Sequence, residues 1–504
     1  MKLREILKGI DLIKVDGDMD REISAVCYDS RQVKNGSIFV AVKGLKSDGH
    51  NFLNDAVEKG ARAVVVENNS RLPTPDSRLP TIISVPDSRK ALALISDRFY
   101  CHPSEGMSII GITGTNGKTT TSYLINSILG VEGFKTGIVG TIDYRFNGEI
   151  IPAPHTTPES LDLHSLFKRM ADRKVKYCVM EVSSHSLELD RVYGTRFETG
   201  VFTNLTQDHL DFHGTMERYF DAKARLFRRY GLKKAAVNID DPYGRRLLKD
   251  INAGRVLTYG IEERADVMAR DVSLSMRGLN FFADTPAGRF EIGSGLMGRH
   301  NVYNILAAIS TCLLEGFSNE SIAKGVMLLD AVPGRLENID EGQDFTVLVD
   351  YAHTDDALKN VLDAVRGLPH NKIFTVFGCG GERDRGKRPL MGRVGVEYSD
   401  FAIITSDNPR SEDPAKIIED IERGILTDRQ ISKPVNWTKI PDRREAIEFA
   451  VSRALGGDIV VIAGKGHEDY QILRDRKIHF DDREVAREAI RKGTRAPVTR
   501  APEK

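Results

Sequence analysis

Short apolar, β-branched runs recur along this chain and alternate with stretches of helical periodicity. SIFVAVKG, ARAVVVE and TIISVP lie in the first hundred residues. MSIIGI, KYCVMEV, ETGVFTNL, KKAAVNI and RVLTYG follow in the middle, and FTVLVD, KIFTVFG, DFAIITS and DIVVIAG near the end. Parallel neighbours need crossover connections, so strands alternating with helices predict α/β layers on largely parallel sheets. A chain of 504 residues exceeds one hydrophobic core, and three domains are expected. Their boundaries are read as 1–104, 105–332 and 333–504, with RFYCHPSEG (98–106) as the linker after the first.

Local patterns refine this frame. Residues from about 265 to 295 alternate apolar and polar and predict antiparallel strands. HNVYNILAAISTCLLEG reads as a helix stopped by Gly316. MKLREILKGIDLIK lacks an uninterrupted apolar core and reads as a short amphipathic helix rather than a signal peptide. The polar stretch 68–80 is expected to be a surface loop, and the tail from about Lys492 to be disordered.

Composition excludes several classes. Lys+Arg (72) and Asp+Glu (72) cancel, so no basic excess points to nucleic acid or a membrane surface. No apolar run approaches the ~18 residues of a membrane span. Cys27, Cys101, Cys178, Cys312 and Cys379 are scattered without a C-x-x-C pair. That argues against a disulfide framework or a cysteine zinc site and fits a reducing cytoplasm.

One loop carries recognisable chemistry. GTNGKTT (114–120) lies between a buried strand and a helix. Glycines let backbone N–H groups face phosphate oxygens, and the helix N-terminus favours the anion. Lys118 would reach the terminal phosphates and the Thr119 hydroxyl would ligate Mg²⁺. The pattern is a variant: Ile112 stands where the first glycine is usual, flanked by Gly111 and Gly114. Glu181, closing KYCVME, is placed to help hold the cation, whereas a histidine such as His209 is an unusual Mg²⁺ ligand. In the last third, four strands run directly into DYAHT, GCGGERDRGKR, SDNPR and GKGHEDYQ. Ligands bind beyond the carboxyl ends of such strands, so a convergent site is expected there.

Taken together, GTNGKTT, MEVSSHSL, TNLTQDHLDFHG, YFDAKARLF, GRHNVYNILAA, VPGRLE and VDYAHT resemble the Mur ligases of bacterial cell-wall synthesis. The likeness runs from YDSR near position 28 to GKGHEDYQ near 470. GERDRGKRPLMG, SDNPR and GKGHEDYQ narrow it to the MurE-type members, which add the third amino acid to UDP-N-acetylmuramoyl-L-alanyl-D-glutamate. The resemblance implies a UDP-binding first domain, a central ATP-binding domain and a C-terminal Rossmann-like domain for the amino acid. It implies ATP-dependent amide ligation through an acyl phosphate, with Mg²⁺, by a cytoplasmic enzyme whose domains close over its substrates. A monomer is the default.

By the same resemblance, Lys118, Thr119, Glu181 and His209 take the phosphate and metal positions, and Gly114, Thr115, Asn116, Gly117 and Thr120 complete the ATP loop. Asn301, Arg335, Asp350 and His353 lie near the nucleotide. Lys223 aligns with a lysine that the family carbamylates with CO₂, making an anion able to help hold a second Mg²⁺. Tyr28, Ser30, Leu45, Lys46 and Ser47 would contact UDP, and His155, Thr156, Thr157, Ser183 and Arg191 the sugar-peptide. Relatives often carry Asn at His155 and Gln at Leu189; an apolar side chain at 189 cannot make that polar contact.

MurE-type enzymes add either meso-diaminopimelate or L-lysine. Diaminopimelate carries a second amino-acid head group, and the planar fork of arginine suits its distal carboxylate. Arg410, after the turn at Pro409, offers one fork and Arg383 a second. Asp407 and Asn408 could bind the distal ammonium, and Gly464 and Glu468 align with the remaining contacts. The expected function is therefore diaminopimelate addition, with a lysine-adding ligase as the alternative. Folylpolyglutamate synthase shares the variant loop but lacks a matching first domain and SDNPR. A non-catalytic nucleotide-binding regulator would bind ATP without turnover, but Lys118, Thr119, Glu181, His209 and Lys223 are all present.

Overall fold

A computed structural model describes residues 1–44, 47–67, 80–275, 278–426 and 436–494. It builds three α/β layers on three main sheets, as the alternation of strands and helices predicts.

The first sheet has five strands in the order Lys14–Asp16, Thr81–Val85, Ala63–Glu67, Ser37–Val40, Ala25–Cys27. Only the first pairing is antiparallel. Helix Ser88–Phe99 packs on it, its start fixed by the Asp87 side chain accepting from the Arg89 and Lys90 amides. The expected N-terminal helix covers only Leu3–Ile6. Gly9 takes a left-handed φ of +67° in the turn that follows, and the chain reaches the strand Lys14–Asp16 without further helix. The expected linker at 98–106 is built structure instead. Helix Ser88–Phe99 enters it, Cys101 and His102 are left-handed, and His102 Nδ1 sits 2.6 Å from Asp97 Oδ2. A short 3-10 turn, Pro103–Gly106, then packs against helix Ser160–Asp172.

The second sheet has eleven strands. Ser108–Thr113 lies at its heart, parallel to Tyr177–Glu181 on one side and Thr199–Phe202 on the other. Helices Lys118–Val131 and Arg299–Glu315 cover one face through Leu124, Ile128, Ile305 and Ile309. Helices Ser160–Asp172 and Met216–Arg229 cover the other through Phe167, Phe220 and Phe227. Gly316 ends its helix in the left-handed region at φ +93°, as expected. The expected antiparallel strands are Val267–Ser275, Gly278–Thr285 and Gly288–Ser294. The opposite edge carries an unforeseen hairpin, Asp143–Phe146 with Glu149–Pro152. Its turn is Asn147–Gly148, both with positive φ, a two-residue hairpin signal present in the sequence.

The third sheet has six strands: Glu337–Asn338, Thr346–Asp350, Ile459–Ala463, Ile373–Phe377, Phe401–Ile404, Asn436–Lys439. All but the first are parallel. Their carboxyl ends bring the four polar loops to one edge, with Asp350 opposite Ala463. The loop expected at 68–80 falls almost wholly outside the described residues. Helix Asp482–Thr494 continues past Lys492, and the rest of the tail lies outside them. Among the described residues no helix is long and apolar enough to cross a membrane.

Candidate active site

The central strand Ser108–Thr113 turns through Gly114–Gly117 into helix Lys118–Val131. Neither glycine tolerates a side chain: a Cβ on Gly114 would meet Thr203 Oγ1 at 1.9 Å, and one on Gly117 would meet Asn304 Oδ1 at 2.3 Å. The loop is braced from the neighbouring strand end. Thr115 N donates to Asn204 O and Asn116 N to Asn204 Oδ1, both at 2.9 Å, and Thr203 Oγ1 donates to Asn116 O at 2.6 Å. Lys118 Nζ crosses the loop to Gly114 O (2.9 Å) and Thr115 O (2.8 Å). Burial pushes its pKa below that of an ordinary lysine, against the pull of Glu181.

Glu181 is fully buried at the end of its strand. It accepts from the Thr119 hydroxyl (2.9 Å) and from the Thr141 amide and hydroxyl (both 2.9 Å). Arg335, from the third domain, donates to Thr119 Oγ1 at 3.1 Å and lies 4.8 Å over the Tyr351 ring. Thr120 is buried just behind. Asn301 does not touch the loop directly: it accepts from Asn304 (2.8 Å), whose side chain abuts Gly117. Both Asp350 carboxylate oxygens accept backbone amides, from Leu336 (2.7 Å) and Ala352 (2.8 Å), and so shape the turn beside Arg335. Burial and nearby Lys387 lower the His353 pKa to about 4, leaving a neutral ring at pH 7.

Lys223 is not the exposed helix lysine that composition alone would suggest. It is 2% exposed, lies 4.6 Å over the Tyr219 ring and donates to Gly114 O at 2.8 Å, the carbonyl that Lys118 also uses. Burial, then the Lys118 charge, drive its pKa well below that of an ordinary lysine. His209 is left-handed (φ +53°), its Nε2 lies 3.2 Å from Asp208, and it meets the His185 ring edge-on at 4.7 Å. Burial lowers its pKa despite Asp208, helped by His185, Lys223 and Lys118. Thr119 and Glu181 are therefore in contact, while His209 and Lys223 gather beside Lys118. Among the described residues, no three His, Cys, Asp or Glu side chains form a metal-binding group.

Two loop contacts come from a residue that sequence reasoning did not single out. Asp356 Oδ2, in the first turn of helix Asp355–Arg366, accepts from Asn116 Nδ2 (2.8 Å) and Thr206 Oγ1 (3.0 Å). Its only sequence signal is its position just past VDYAHT.

The expected sugar-peptide residues connect to the same centre. Thr157 Oγ1 donates to Glu181 O at 2.9 Å and accepts from Ser183 N at 3.1 Å. Thr156 shares a 3.1 Å hydrogen bond with Thr141. Arg191 donates to Thr157 O at 3.3 Å and lies 3.4 Å from Glu159. His155 is exposed, and its carbonyl accepts from the Tyr144 hydroxyl. On the first domain, Tyr28 donates to Asp162 Oδ2 across the domain boundary at 2.8 Å, and Ser30 is buried. Ser47 is exposed, with its carbonyl held by Gly44 N; Leu45 and Lys46 lie outside the described residues. Arg89, also missed, bridges the two domains, 3.6 Å from Glu159 and 3.5 Å from the Leu189 carbonyl. In this contact Leu189 offers its backbone carbonyl.

The loops expected to take the amino acid converge at the edge of the third sheet. Arg410 is left-handed (φ +52°), and its Nη1 donates to Gly381 O at 2.6 Å. A Cβ on Gly381 would fall 2.0 Å from Pro409 O, so the two loops need glycine to meet. Arg383 lies beside Arg410. Burial and the Arg383 charge depress the Arg410 pKa, and neither arginine makes an ion pair among the described residues. Asp407 and Asn408 are buried alongside. Asn408 Nδ2 donates to Glu468 Oε2 at 2.9 Å. Gly464 (φ +121°) leaves space in front of Asp407 Oδ2, and its amide donates to Asp350 O. The loops therefore gather two arginines that make no ion pair among the described residues and two carboxylates, Asp407 and Glu468, a set complementary to a zwitterionic head group.

Known proteins resemble this chain over nearly its whole length. Three family descriptions match: "Mur ligase family, catalytic domain" over residues 22–100, "Mur ligase middle domain" over 112–312 and "Mur ligase, glutamate ligase domain" over 334–466. The chain is 47% identical, over 97% of its length and 99% of the relative's, to a UDP-N-acetylmuramoyl-L-alanyl-D-glutamate–2,6-diaminopimelate ligase of Clostridium tetani. A solved structure of a ligase of that name covers 98% of this chain and 100% of its own at 35% identity and TM-score 0.69. MurF of Thermotoga maritima in complex with ADP, at 20% identity and TM-score 0.61 over 94% of this chain and 97% of its own, shares the fold.

Proposed function

The chain belongs to the Mur ligase family, and from that premise we propose that it joins meso-diaminopimelate to UDP-N-acetylmuramoyl-L-alanyl-D-glutamate at the expense of ATP. One observation carries the choice of amino acid: Arg383 and Arg410, adjacent and without an ion pair among the described residues, stand beside Asp407 and Glu468. A lysine side chain would leave both forks unmatched, whereas the distal head group of diaminopimelate matches both charges.

In this reading the D-glutamate side-chain carboxylate attacks the γ-phosphate and ADP leaves. The incoming amine then attacks the acyl phosphate, and phosphate leaves from the tetrahedral intermediate. Both steps crowd anions, so the chain's work is positioning and charge compensation. The Gly114–Gly117 amides and Lys118 would hold the phosphates, with Arg335 reaching in from the third domain. Thr157, Ser183 and Arg191 would orient the dipeptide carboxylate. The first domain, read as 1–104, would hold UDP through Tyr28, Ser30 and Ser47; 105–332 would hold ATP and 333–504 the amino acid.

Magnesium fits the donor set: the Thr119 hydroxyl and the Glu181 carboxylate are hard oxygens 2.9 Å apart. When bound it would neutralise phosphate charge. A carbamate on Lys223 fits as well, because a buried amine with a depressed pKa is partly neutral and its anionic adduct would answer the Lys118 charge. His209 would then stand beside it. The free thiols of all five cysteines accord with a cytoplasmic enzyme.

The test is phosphate release by the purified protein with ATP, Mg²⁺ and the UDP-dipeptide, run with diaminopimelate, with L-lysine and with no amino acid. Release confined to the diaminopimelate arm is expected. Release with lysine alone would overturn the reading of Arg383 and Arg410.

A further inference from the structure

Lys465 played no part in the assignments above, yet it is the most enclosed charge in the amino-acid pocket. Its side chain is fully buried. Its Nζ lies 3.2 Å from Glu468 Oε2, 3.4 Å from Asn408 Oδ1 and 3.8 Å from Asp407 Oδ1. The next buried cation, Arg443, is spoken for by Asp482 at 2.6 Å, both fully buried. Asp407 Oδ1 is itself buried without a hydrogen-bond partner. Two largely buried carboxylates thus share one fixed ammonium, and Glu468 feels both its burial and Asp407.

The charge balance has a consequence. Asp407, Glu468 and Lys465 together leave a single negative charge for a substrate ammonium. Arg383 and Arg410 ask for a substrate carboxylate. A distal head group with no net charge meets both demands. A lone cationic side chain meets one and is repelled by three fixed cations. We propose that Lys465 is a specificity-determining residue, which disfavours a cationic side chain relative to a zwitterionic head group. The proposal rests on the reading of this pocket as the amino-acid site.

Charge, not packing, is the claim, so the variants separate the two. In the full-length enzyme, Lys465→Met removes the charge and Lys465→Arg keeps it. The readout is the ratio of kcat/KM for L-lysine to kcat/KM for diaminopimelate. Lys465→Met is expected to raise that ratio by about tenfold or more, and Lys465→Arg to hold it within about threefold of wild type, even if both rates fall. A structural role would lower both rates together. If Lys465→Met is too slow to assay, calorimetric Kd values for the two amino acids with the folded variant give the same ratio. A ratio unchanged or shifted toward diaminopimelate in Lys465→Met, beside a wild type that uses diaminopimelate, overturns this proposal alone. A wild type that turns over neither amino acid overturns the pocket reading and this proposal with it.

Discussion

Asp356 offers a direct probe of how the phosphate loop is assembled. It belongs to the third domain, but its carboxylate accepts from Asn116 and Thr206, which belong to the second. Asp356→Ala removes both hydrogen bonds. Bonds to a charged acceptor contribute about 1.5–3 kcal/mol each when enclosed. Asp356 is only half-buried, so about 1–3 kcal/mol in total is a fair expectation after solvent screening. That loss falls on the ATP cleft, because Asn116 sits inside the loop that would hold the phosphates. KM for ATP should rise about 5- to 150-fold, with KM for the UDP-dipeptide little changed. Asp356→Asn keeps one acceptor oxygen and should fall between wild type and the alanine variant. The assay is steady-state phosphate release against ATP, with a thermal melt to show that each variant is folded. KM values for ATP within about twofold of wild type in both variants would refute assembly of the loop across the domain boundary.

Other expectations follow from the same geometry. Arg410→Ala should raise KM for diaminopimelate about 30- to 150-fold, the equivalent of about 2–3 kcal/mol for a half-buried charged contact, and leave KM for ATP alone; equal shifts for both substrates would contradict it. Lys223 should take up ¹³CO₂ to give a carbamate resonance in ¹³C NMR that Lys223→Gln lacks; an identical spectrum from both proteins would remove the carbamate. Acid should destabilise the fold through its buried neutral histidines. Burial lowers the pKa of the fully buried His164 from 6.5 to about 4. Between those values the unfolded chain binds a proton that the folded chain refuses, so stability falls as pH drops from 6.5 toward 4, by about 3 kcal/mol from this group. Denaturant melts of wild type and His164→Gln should show a shallower pH slope in the variant, and parallel slopes would contradict this.

Much of this architecture was legible in the sequence, because its physics is local. Short apolar, β-branched runs between helical stretches gave the sheets, and alternation gave the antiparallel strands between 265 and 295. The glycines of GTNGKTT and the turn residues of SDNPR announced loops at strand ends. Gly316 marked a helix stop. The Asn147–Gly148 hairpin was equally local and was overlooked. What escaped was tertiary. Asp356 lies 240 residues from Asn116, so no spacing rule could pair them. Arg89 and Lys465 look like ordinary helix and loop cations until the domains are placed. Lys223 reverses the usual expectation for lysine only because its helix turns that face onto the phosphate loop. The N-terminal segment shows the opposite failure: amphipathic spacing favoured a helix, but the glycine at position 9 and pairing with Thr81–Val85 limited it to four residues.

The central claim is that the paired arginines make this a diaminopimelate ligase, and direct competition tests it most plainly. The enzyme would be given ATP, Mg²⁺, the UDP-dipeptide and equal concentrations of meso-diaminopimelate and L-lysine, and the products weighed by mass spectrometry. Diaminopimelate tripeptide in large excess is the predicted result. Lysine tripeptide as the main product would contradict the account.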